Sequence, residues 1–306
     1  MKTPLISPEE FGVSFSVKQC RSFGIDSKET LEWLIKKAGF RRFRLMSYWN
    51  EIESVKDDFD FKELDQQILI IKKAGGVITL CLGARQPRWP ENHWPEWAWK
   101  MSKKERTGAL YYFIQTVVKR YKDEKCIVSY QLENEALLKS FGVRPEVDRQ
   151  RLVEEYRHIK CLDEKTPIVM STSTSWGVPM RRPIPDIVGF SYYQIVYNSQ
   201  KSRYTTAFHT PILHRLRAGL IRIIHDKPVF IHELQLEPWG PEAIWKMTLE
   251  EQDKSMGPLQ IAKNVALAEA VNQGPIDLWG GEWWYWRYKI HNDSSIWRAV
   301  HKSLTG

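Results

Sequence analysis

IVSYQLENE, at residues 127–135, is a mainly apolar run that ends in Asn and Glu. A second run, PVFIHE at residues 228–233, also ends in a carboxylate. Short and nearly continuous apolar runs are typical of parallel β-strands whose two faces are both covered. We therefore predict two parallel strands that each deliver a glutamate to their C-terminal end.

Similar apolar runs alternate with amphipathic stretches along the whole chain, which predicts repeated βα units. The predicted strands are 12–17, 40–46, 77–83, 127–133, 167–171, 187–192, 228–233 and 276–281. The predicted helices are 27–38, 61–74, 102–121, 147–162, 206–224, 259–272 and 294–304. Residues 176–186 contain three prolines, so the fifth helix should be degenerate. The pattern predicts an α/β fold: one (β/α)₈ TIM barrel over residues 1–306, with long loops after the third and seventh strands.

The composition limits the classes of function. No apolar stretch has the length of a membrane span or of a signal peptide, and no HExxH, GxGxxG or P-loop motif occurs. We therefore expect no metal or organic cofactor and no membrane partner. The four cysteines form no CxxC pair, which favours reduced thiols. The net charge of +8 comes from basic residues spread over many predicted helices, so we expect no nucleic-acid partner. The sequence does not decide the oligomeric state, and it leaves both a cytoplasmic and an exported location open.

Glu135 is the candidate general acid/base. Asn134 beside it carries a short amide that suits a sugar hydroxyl, and such contacts strengthen in the transition state of glycoside hydrolysis. Strand alternation would send Gln131, Glu133 and Glu135 to the same side, which is costly unless that side is a polar site. Glu133 is therefore the main rival of Glu135 for the acid role.

Glu233 is the candidate nucleophile. It ends an apolar strand, and a buried carboxylate needs partners to stay ionised at neutral pH. Arg44, within an apolar strand, is the expected charged partner. Tyr193 is the expected hydrogen-bond donor, or Tyr192 if the register slips by one residue. Glu237, in the following loop, is a weaker candidate for the same role.

Many tryptophans fall in or beside predicted βα loops. Tryptophan faces stack on sugar rings, and polar groups at the rim choose among hydroxyls. We therefore predict a carbohydrate cleft, with Glu282 also touching the substrate. The tryptophans are Trp49, Trp89, Trp176, Trp239, Trp279, Trp283, Trp284 and Trp286.

On these residues the chain resembles clan A of the glycoside hydrolases, the retaining β-glycosidases built on TIM barrels. The likeness rests on Arg44, Asn134-Glu135, Tyr193, Glu233 and the tryptophans after the last strand. It implies double displacement on β-linked oligo- or polysaccharides, with Glu233 as nucleophile and Glu135 as acid/base. The chain is similar to cellulase-like and β-galactosidase-like members. It departs from many members at Ala136, where they have proline, and at Ser191, where they have asparagine or histidine.

Two other readings belong to different classes. A catalytically silent barrel that binds glycans would keep the tryptophan cleft without a working pair of carboxylates, and fold alone cannot separate it from an enzyme. A nucleic-acid binder rests on the positive charge alone. Basic residues lie next to a stacking aromatic only around Arg85, Arg88 and Trp89, so this reading is weak.

Overall fold

The computed structural model describes residues 8–139, 141–144, 146–173, 177–207 and 210–305. Its strands are β1 Phe11–Phe15, β2 Arg42–Met46, β3 Val77–Leu82, β4 Ile127–Leu132, β5 Ile168–Thr172, β6 Ile187–Tyr192, β7 Ile195–Asn198, β8 Arg203–Thr206, β9 Val229–Gln235 and β10 Ile276–Trp279. Eight of them form a closed barrel in the order β1-β10-β9-β6-β5-β4-β3-β2, and β7 and β8 form a separate antiparallel pair. The predicted (β/α)₈ TIM barrel is confirmed.

Helices lie between the barrel strands. They are α1 Val17–Phe23, α2 Ser27–Lys36, α3 Trp49–Ile52, α4 Lys62–Lys73, α5 Glu96–Trp99, α6 Lys103–Tyr121, α7 Arg149–Leu162, α8 Pro211–His225, α9 Leu249–Met256, α10 Pro258–Val271, α11 Gly281–Ile290 and α12 Ser295–Thr305. Two short 3₁₀ turns lie at Pro8–Glu10 and Ile244–Lys246. Between β5 and β6 the described residues, 173 and 177–186, form no helix, so the predicted fifth helix is indeed degenerate.

Helix ends follow local capping chemistry. Ser102 and Glu105 form a reciprocal capping box at the start of α6, which satisfies backbone N–H groups that the helix itself leaves unpaired. Thr210 caps α8, and Pro211 takes the first helical position, where its missing N–H costs nothing. None of the described helices combines the length and the apolar composition that a membrane crossing requires.

One compact unit of the chain comprises Phe43–Gly189. Within it β3 pairs in parallel with β4, so that Leu80 lies opposite Tyr130 and Leu82 opposite Leu132. All four side chains are fully buried. Because β4 also pairs in parallel with β5, the loops that follow these three strands leave from the same edge of the sheet. That edge carries the first group of candidate site residues.

The other compact unit comprises Met1–Arg42 and Phe190–Gly306. Here β10 lies between β1 and β9 and is parallel to both. The helices α10 and α12 pack against each other on the outside of this sheet. The C-terminal end of β9 carries the second group of candidate site residues.

A buried ion network holds the strands of this second unit together. The Asp277 carboxylate accepts a hydrogen bond from Arg42 Nε at 2.9 Å, and its other oxygen lies 2.7 Å from His232 Nδ1. Burial by itself raises the pKa of Asp277, but the Arg42 guanidinium and His232 outweigh burial and lower the pKa to about 2. Position 12 is glycine because a Cβ there would collide with this carboxylate.

Candidate active site

The backbone turns sharply where β4 ends. Glu133 and Glu135 both adopt positive φ, 50° and 45°, in the left-handed region that few residues other than glycine visit. These two residues interrupt the strand alternation. The prediction that Gln131, Glu133 and Glu135 share one side is therefore wrong. Instead the Gln131 and Asn134 side chains meet, with Gln131 Nε2 at 3.2 Å from Asn134 Oδ1.

Arg44 organises a buried polar network around this turn. Its Nε donates to Gln131 Oε1 at 2.6 Å, and its Nη2 donates to Asn134 Oδ1 at 2.9 Å. Ser171, near the end of β5, donates to the same Asn134 oxygen at 3.0 Å and accepts from the Glu135 backbone N–H at 2.9 Å. Two strands and one arginine thus fix the orientation of Asn134 and of the Glu135 backbone. The predicted pairing of Arg44 with Glu233 stays a prediction.

Sequence reasoning missed two members of this network. Glu91, in the loop after β3, accepts a hydrogen bond from Asn134 Nδ2 at 2.9 Å and is only 4% exposed. Ser171 was visible only as the last residue of a predicted strand. The sequence offered one signal for Ser171. It begins a run of small hydroxyl residues, 171–175, directly after an apolar stretch.

Both carboxylate oxygens of Glu133 are bound by backbone groups of the protein. Its two carboxylate oxygens accept hydrogen bonds from the backbone N–H groups of Ala84 and Arg85, at 3.0 and 2.7 Å. Burial raises the pKa of Glu133, against the opposing effects of the Arg151 guanidinium and of these two N–H groups. Burial likewise raises the pKa of Glu155, which forms an ion pair with Arg151 at 2.9 Å. Glu133 therefore ties the loop after β3 to the end of β4.

Glu233 lies on β9 and is 8% exposed. The Tyr193 hydroxyl donates a hydrogen bond to Glu233 Oε1 at 2.5 Å, a short distance that suits a donor to a carboxylate. Tyr192, the alternative donor, is fully buried and packs edge-on against the His214 ring. Trp239 in turn packs edge-on against Tyr193, with ring centroids 5.5 Å apart. Tyr193 and Trp239 thus form one wall beside the candidate nucleophile.

Gln235 holds that wall in place, and sequence reasoning missed it. It lies two residues after Glu233 on the same strand and is fully buried. Its Oε1 accepts from the backbone N–H groups of Gln194 and Ile195 at 2.8 and 3.1 Å, and its Nε2 donates to the Ile195 carbonyl at 2.6 Å. These three bonds fix the backbone that directly follows Tyr193.

Three predicted substrate-binding residues are fully buried and serve packing. Trp49 donates its ring N–H to Glu53 and lies in an aromatic cluster with Phe113. Trp283 lies within α11, and Glu282 accepts the Ser16 N–H at the start of α1. None of these three side chains is exposed in this structure, and their contact with substrate stays a prediction. The predicted loop that holds Trp283, Trp284 and Trp286 is in fact this buried helix.

The other tryptophans differ in exposure. Trp89 is 63% exposed, Trp239 is half-buried, and Trp279, at the end of β10, is 7% exposed. Trp176 lies outside the described residues. Glu237, the weaker nucleophile candidate, is 7% exposed. Within the described ranges, no group of three or more His, Cys, Asp or Glu side chains is placed to hold a metal ion.

Residues 27–170 match the family model Glyco_hydro_42, described as beta-galactosidase. The matched segment is less than half of the 306 residues; it includes Arg44 and Glu135 and ends before Glu233. No curated protein matches the chain. The family-model match supports a glycoside hydrolase.

Solved structures similar to the chain are TIM-barrel glycosidases. Xylanase10C from Cellvibrio japonicus in complex with xylopentaose is 14% identical at a TM-score of 0.65, with 96% of this chain and 66% of that chain covered. GH5_18 from Streptomyces cattleya in complex with GlcNAc is 12% identical at a TM-score of 0.63, with 97% of this chain and 80% of that chain covered. A cold-adapted β-galactosidase from Rahnella sp. R3 is 13% identical at a TM-score of 0.61, with 98% of this chain and 56% of that chain covered. At these identities the likeness shows the fold, and with the family-model match it confirms the resemblance to clan A.

Proposed function

We propose that this chain hydrolyses β-linked glycosides with retention of configuration, with Glu233 as nucleophile and Glu135 as acid/base. The observation that carries the proposal is the short hydrogen bond from Tyr193 to Glu233 at the end of β9. A buried carboxylate with a dedicated phenolic donor is held in one orientation, as a nucleophile that must reach a single carbon atom requires.

The topology supports the pairing of the two glutamates. Glu135 follows β4 and Glu233 lies near the C-terminal end of β9. In a closed parallel barrel all C-terminal strand ends open at one end, which is where the active sites of this fold lie. Retaining chemistry needs the two carboxyl groups about 5 to 5.5 Å apart.

The proposed reaction has two steps. First a Glu233 carboxylate oxygen attacks the anomeric carbon, the glycosidic C–O bond breaks, and the leaving oxygen takes the proton of Glu135. Then the Glu135 carboxylate removes a proton from water, the water oxygen attacks the same carbon, and the Glu233 carboxylate leaves. The net reaction consumes one water and forms a sugar and an alcohol.

The network at the end of β4 favours Glu135 over Glu133 as the acid. Both Glu133 oxygens are held by backbone N–H groups, and the side chain is 2% exposed. The Glu135 side chain is half-buried and lines a cavity. A group that protonates a leaving oxygen has to reach it, and only Glu135 of the two has open space beside it.

Carboxamide variants test the assignment on an activated aryl β-glycoside. We expect Glu233→Gln and Glu135→Gln each to lower turnover by about 10²- to 10⁴-fold, because each removes a group that acts in the transition state. Azide should restore turnover in Glu135→Gln by replacing water as the nucleophile.

Glu237→Gln is the matched control, since Glu237 is also a buried carboxylate in the segment after β9. It should keep the parent turnover. If it is the inactive variant while Glu233→Gln remains active, the nucleophile is misassigned. If aryl β-glycosides bind to the parent protein and none is cleaved, the chain is a silent glycan-binding barrel instead.

A further inference from the structure

The helix α8 exposes a row of large apolar side chains. At about 100° per residue, these side chains fall within one arc of about 120°, and no other residue of α8 lies in that arc. The side of α8 that faces the protein holds His214, Arg217, Ala218 and Ile221, so the helix is more apolar outside than inside. The apolar arc consists of Ile212, Leu213, Leu216, Leu220, Ile223 and Ile224, each between 37% and 84% exposed.

The two exposed arginines of α8 lie outside the apolar arc. Arg215 donates from Nε to the Ala270 carbonyl at 2.7 Å, and Arg222 donates from Nη2 to Gln273 Oε1. Both acceptors are at or just after the end of α10. The guanidinium groups are therefore held at the α10 side, and the arc itself is uncharged. An apolar partner surface matches it better than an acidic peptide or a nucleic acid does.

Gly219 lies at the edge of the apolar arc, near the middle of α8. Glycine is among the least favourable residues in a helix interior, and a Cβ built at Gly219 would point into open space. The spacing of Ile212, Leu216, Gly219 and Ile223 is four, three and four, which is typical of the seam between two paired helices. A missing side chain at this seam lets two helix backbones approach closely.

The fold leaves α8 without one of its usual neighbours. In a (β/α)₈ barrel the outer helices alternate with the strands in chain order. The helix that would precede α8 falls between β5 and β6, where the described residues 173 and 177–186 form none. The helix α10, in contrast, does pack against α8. The absent helix accounts for an apolar face that stays exposed.

We propose that this face pairs with the same face of a second copy of the chain, and that the two α8 helices cross at Gly219. The six side chains present about 600 Å² of apolar surface on each copy, the upper end for the largest patch of a monomer. Two such faces bury about 1,200 Å², which meets the size of a specific interface. A face that meets its own copy forms a closed two-fold pair, the commonest oligomer.

A membrane surface fits this face less well. Helices that lie on membranes usually carry Trp or Phe on the apolar face and basic residues that flank it. The helix α8 contains no Trp, Phe or Tyr, and both of its exposed arginines bond to residues 270 and 273. The inference does not depend on the proposed function, because it concerns the outer surface and not the ends of the strands.

Sedimentation velocity of the full chain tests the pairing. We expect a concentration-dependent change from the monomer of 36.1 kDa to a particle of twice that mass. Leu216→Glu places a charge within the arc at a side chain that is 60% exposed, so folding should be kept. Because the change occurs on both copies, the dissociation constant of the dimer should rise at least about 100-fold. The matched control is Leu69→Glu on α4, where Leu69 is 48% exposed; it should keep the parent dissociation constant.

A pair of glycine variants tests the crossing point. Gly108 on α6 is the matched control for Gly219, since both lie within helices and a Cβ at either position meets open space. Glutamine favours a helix more than glycine does, so Gly219→Gln and Gly108→Gln should both be folded by circular dichroism. Gly219→Gln should raise the dissociation constant at least about tenfold, because its side chain lies where the backbones meet. Gly108→Gln should leave it unchanged.

The outcomes decide the inference in either direction. A parent chain that stays monomeric up to its highest soluble concentration overturns it, and so does a dimer that persists at parent strength in Leu216→Glu or Gly219→Gln. Vesicles of phosphatidylcholine and phosphatidylserine test the other occupant. If a monomeric parent sediments with these vesicles and Leu216→Glu does not, the face binds a membrane and the proposed pairing is wrong.

Discussion

The hydrogen bond between Tyr193 and Glu233 gives the sharpest prediction. Tyr193→Phe removes one oxygen atom and leaves the ring that packs against Trp239. In the second step of the proposed reaction, negative charge returns to the Glu233 carboxylate as the glycosyl bond breaks. A donor 2.5 Å from that oxygen stabilises the developing charge, so the variant should slow this step most.

The expected size follows from the type of bond. Hydrogen bonds to charged groups contribute about 1.5 to 3 kcal/mol. With about 1.4 kcal/mol for each factor of ten, kcat should fall about 10- to 150-fold. For an aryl glycoside with a good leaving group, the covalent intermediate should accumulate, and a burst of aryl alcohol should precede the slow steady state.

Tyr192→Phe is the matched control, because Tyr192 is the adjacent tyrosine and makes edge-on contact with His214 instead. Stopped-flow measurement of aryl alcohol release should show parent kcat in this variant and the burst only in Tyr193→Phe. If Tyr193→Phe keeps kcat within twofold and shows no burst at an unchanged Tm, the hydrogen bond has no part in the reaction.

Two further predictions concern buried carboxylates. The folded pKa of Asp277 is about 2 and its unfolded pKa is about 3.9, so its ionisation stabilises the fold above pH 4, and this stability is lost as the pH falls through 2. Urea unfolding of the parent and of Asp277→Asn measures this contribution as the difference between their free energies of unfolding. The difference should shrink by about 2 kcal/mol between pH 5 and pH 2. A difference that stays constant over this range would contradict the ion network. Glu133→Gln places an amide against two backbone N–H groups and should lower the free energy of unfolding by about 1 to 3 kcal/mol, while the folded fraction keeps its turnover. A loss of turnover as large as that of Glu135→Gln would make Glu133 the acid.

The barrel was predictable because its strands are nearly continuous apolar runs. The predicted strand at 187–192 coincides with β6, and 127–133 differs from β4 by one residue. Each of the seven predicted helices overlaps a helix of the structure: α2, α4, α6, α7, α8, α10 or α12. The shorter helices α1, α3, α5 and α9 were not predicted. The helix α11 was missed because seven of its ten residues are buried, which removes any polar face from the pattern. The pair β7 and β8 was missed because its exposed and half-buried residues show no clear alternation.

The candidate site residues at strand ends could be located from the sequence, and those in loops could not. Asn134 and Glu135 follow β4, whereas Glu233 lies two residues before the end of β9, which is longer than predicted. The positive φ at Glu133 was not readable, because only tertiary contacts with the loop after β3 stabilise it. The burial of Trp49 likewise depends on partners distant in sequence, such as Phe113. Tryptophan composition predicts aromatic contacts, but it does not distinguish a ligand from the protein core.

Covalent trapping tests the assignment of the nucleophile most directly. A 2-deoxy-2-fluoro β-glycoside with a good leaving group forms the glycosyl-enzyme quickly and releases it slowly, because fluorine destabilises the positively charged transition state. Peptide mass spectrometry of the trapped protein should place the sugar on Glu233. A label on Glu237 or on any other carboxylate, in a protein that still turns over its substrate, would contradict the account.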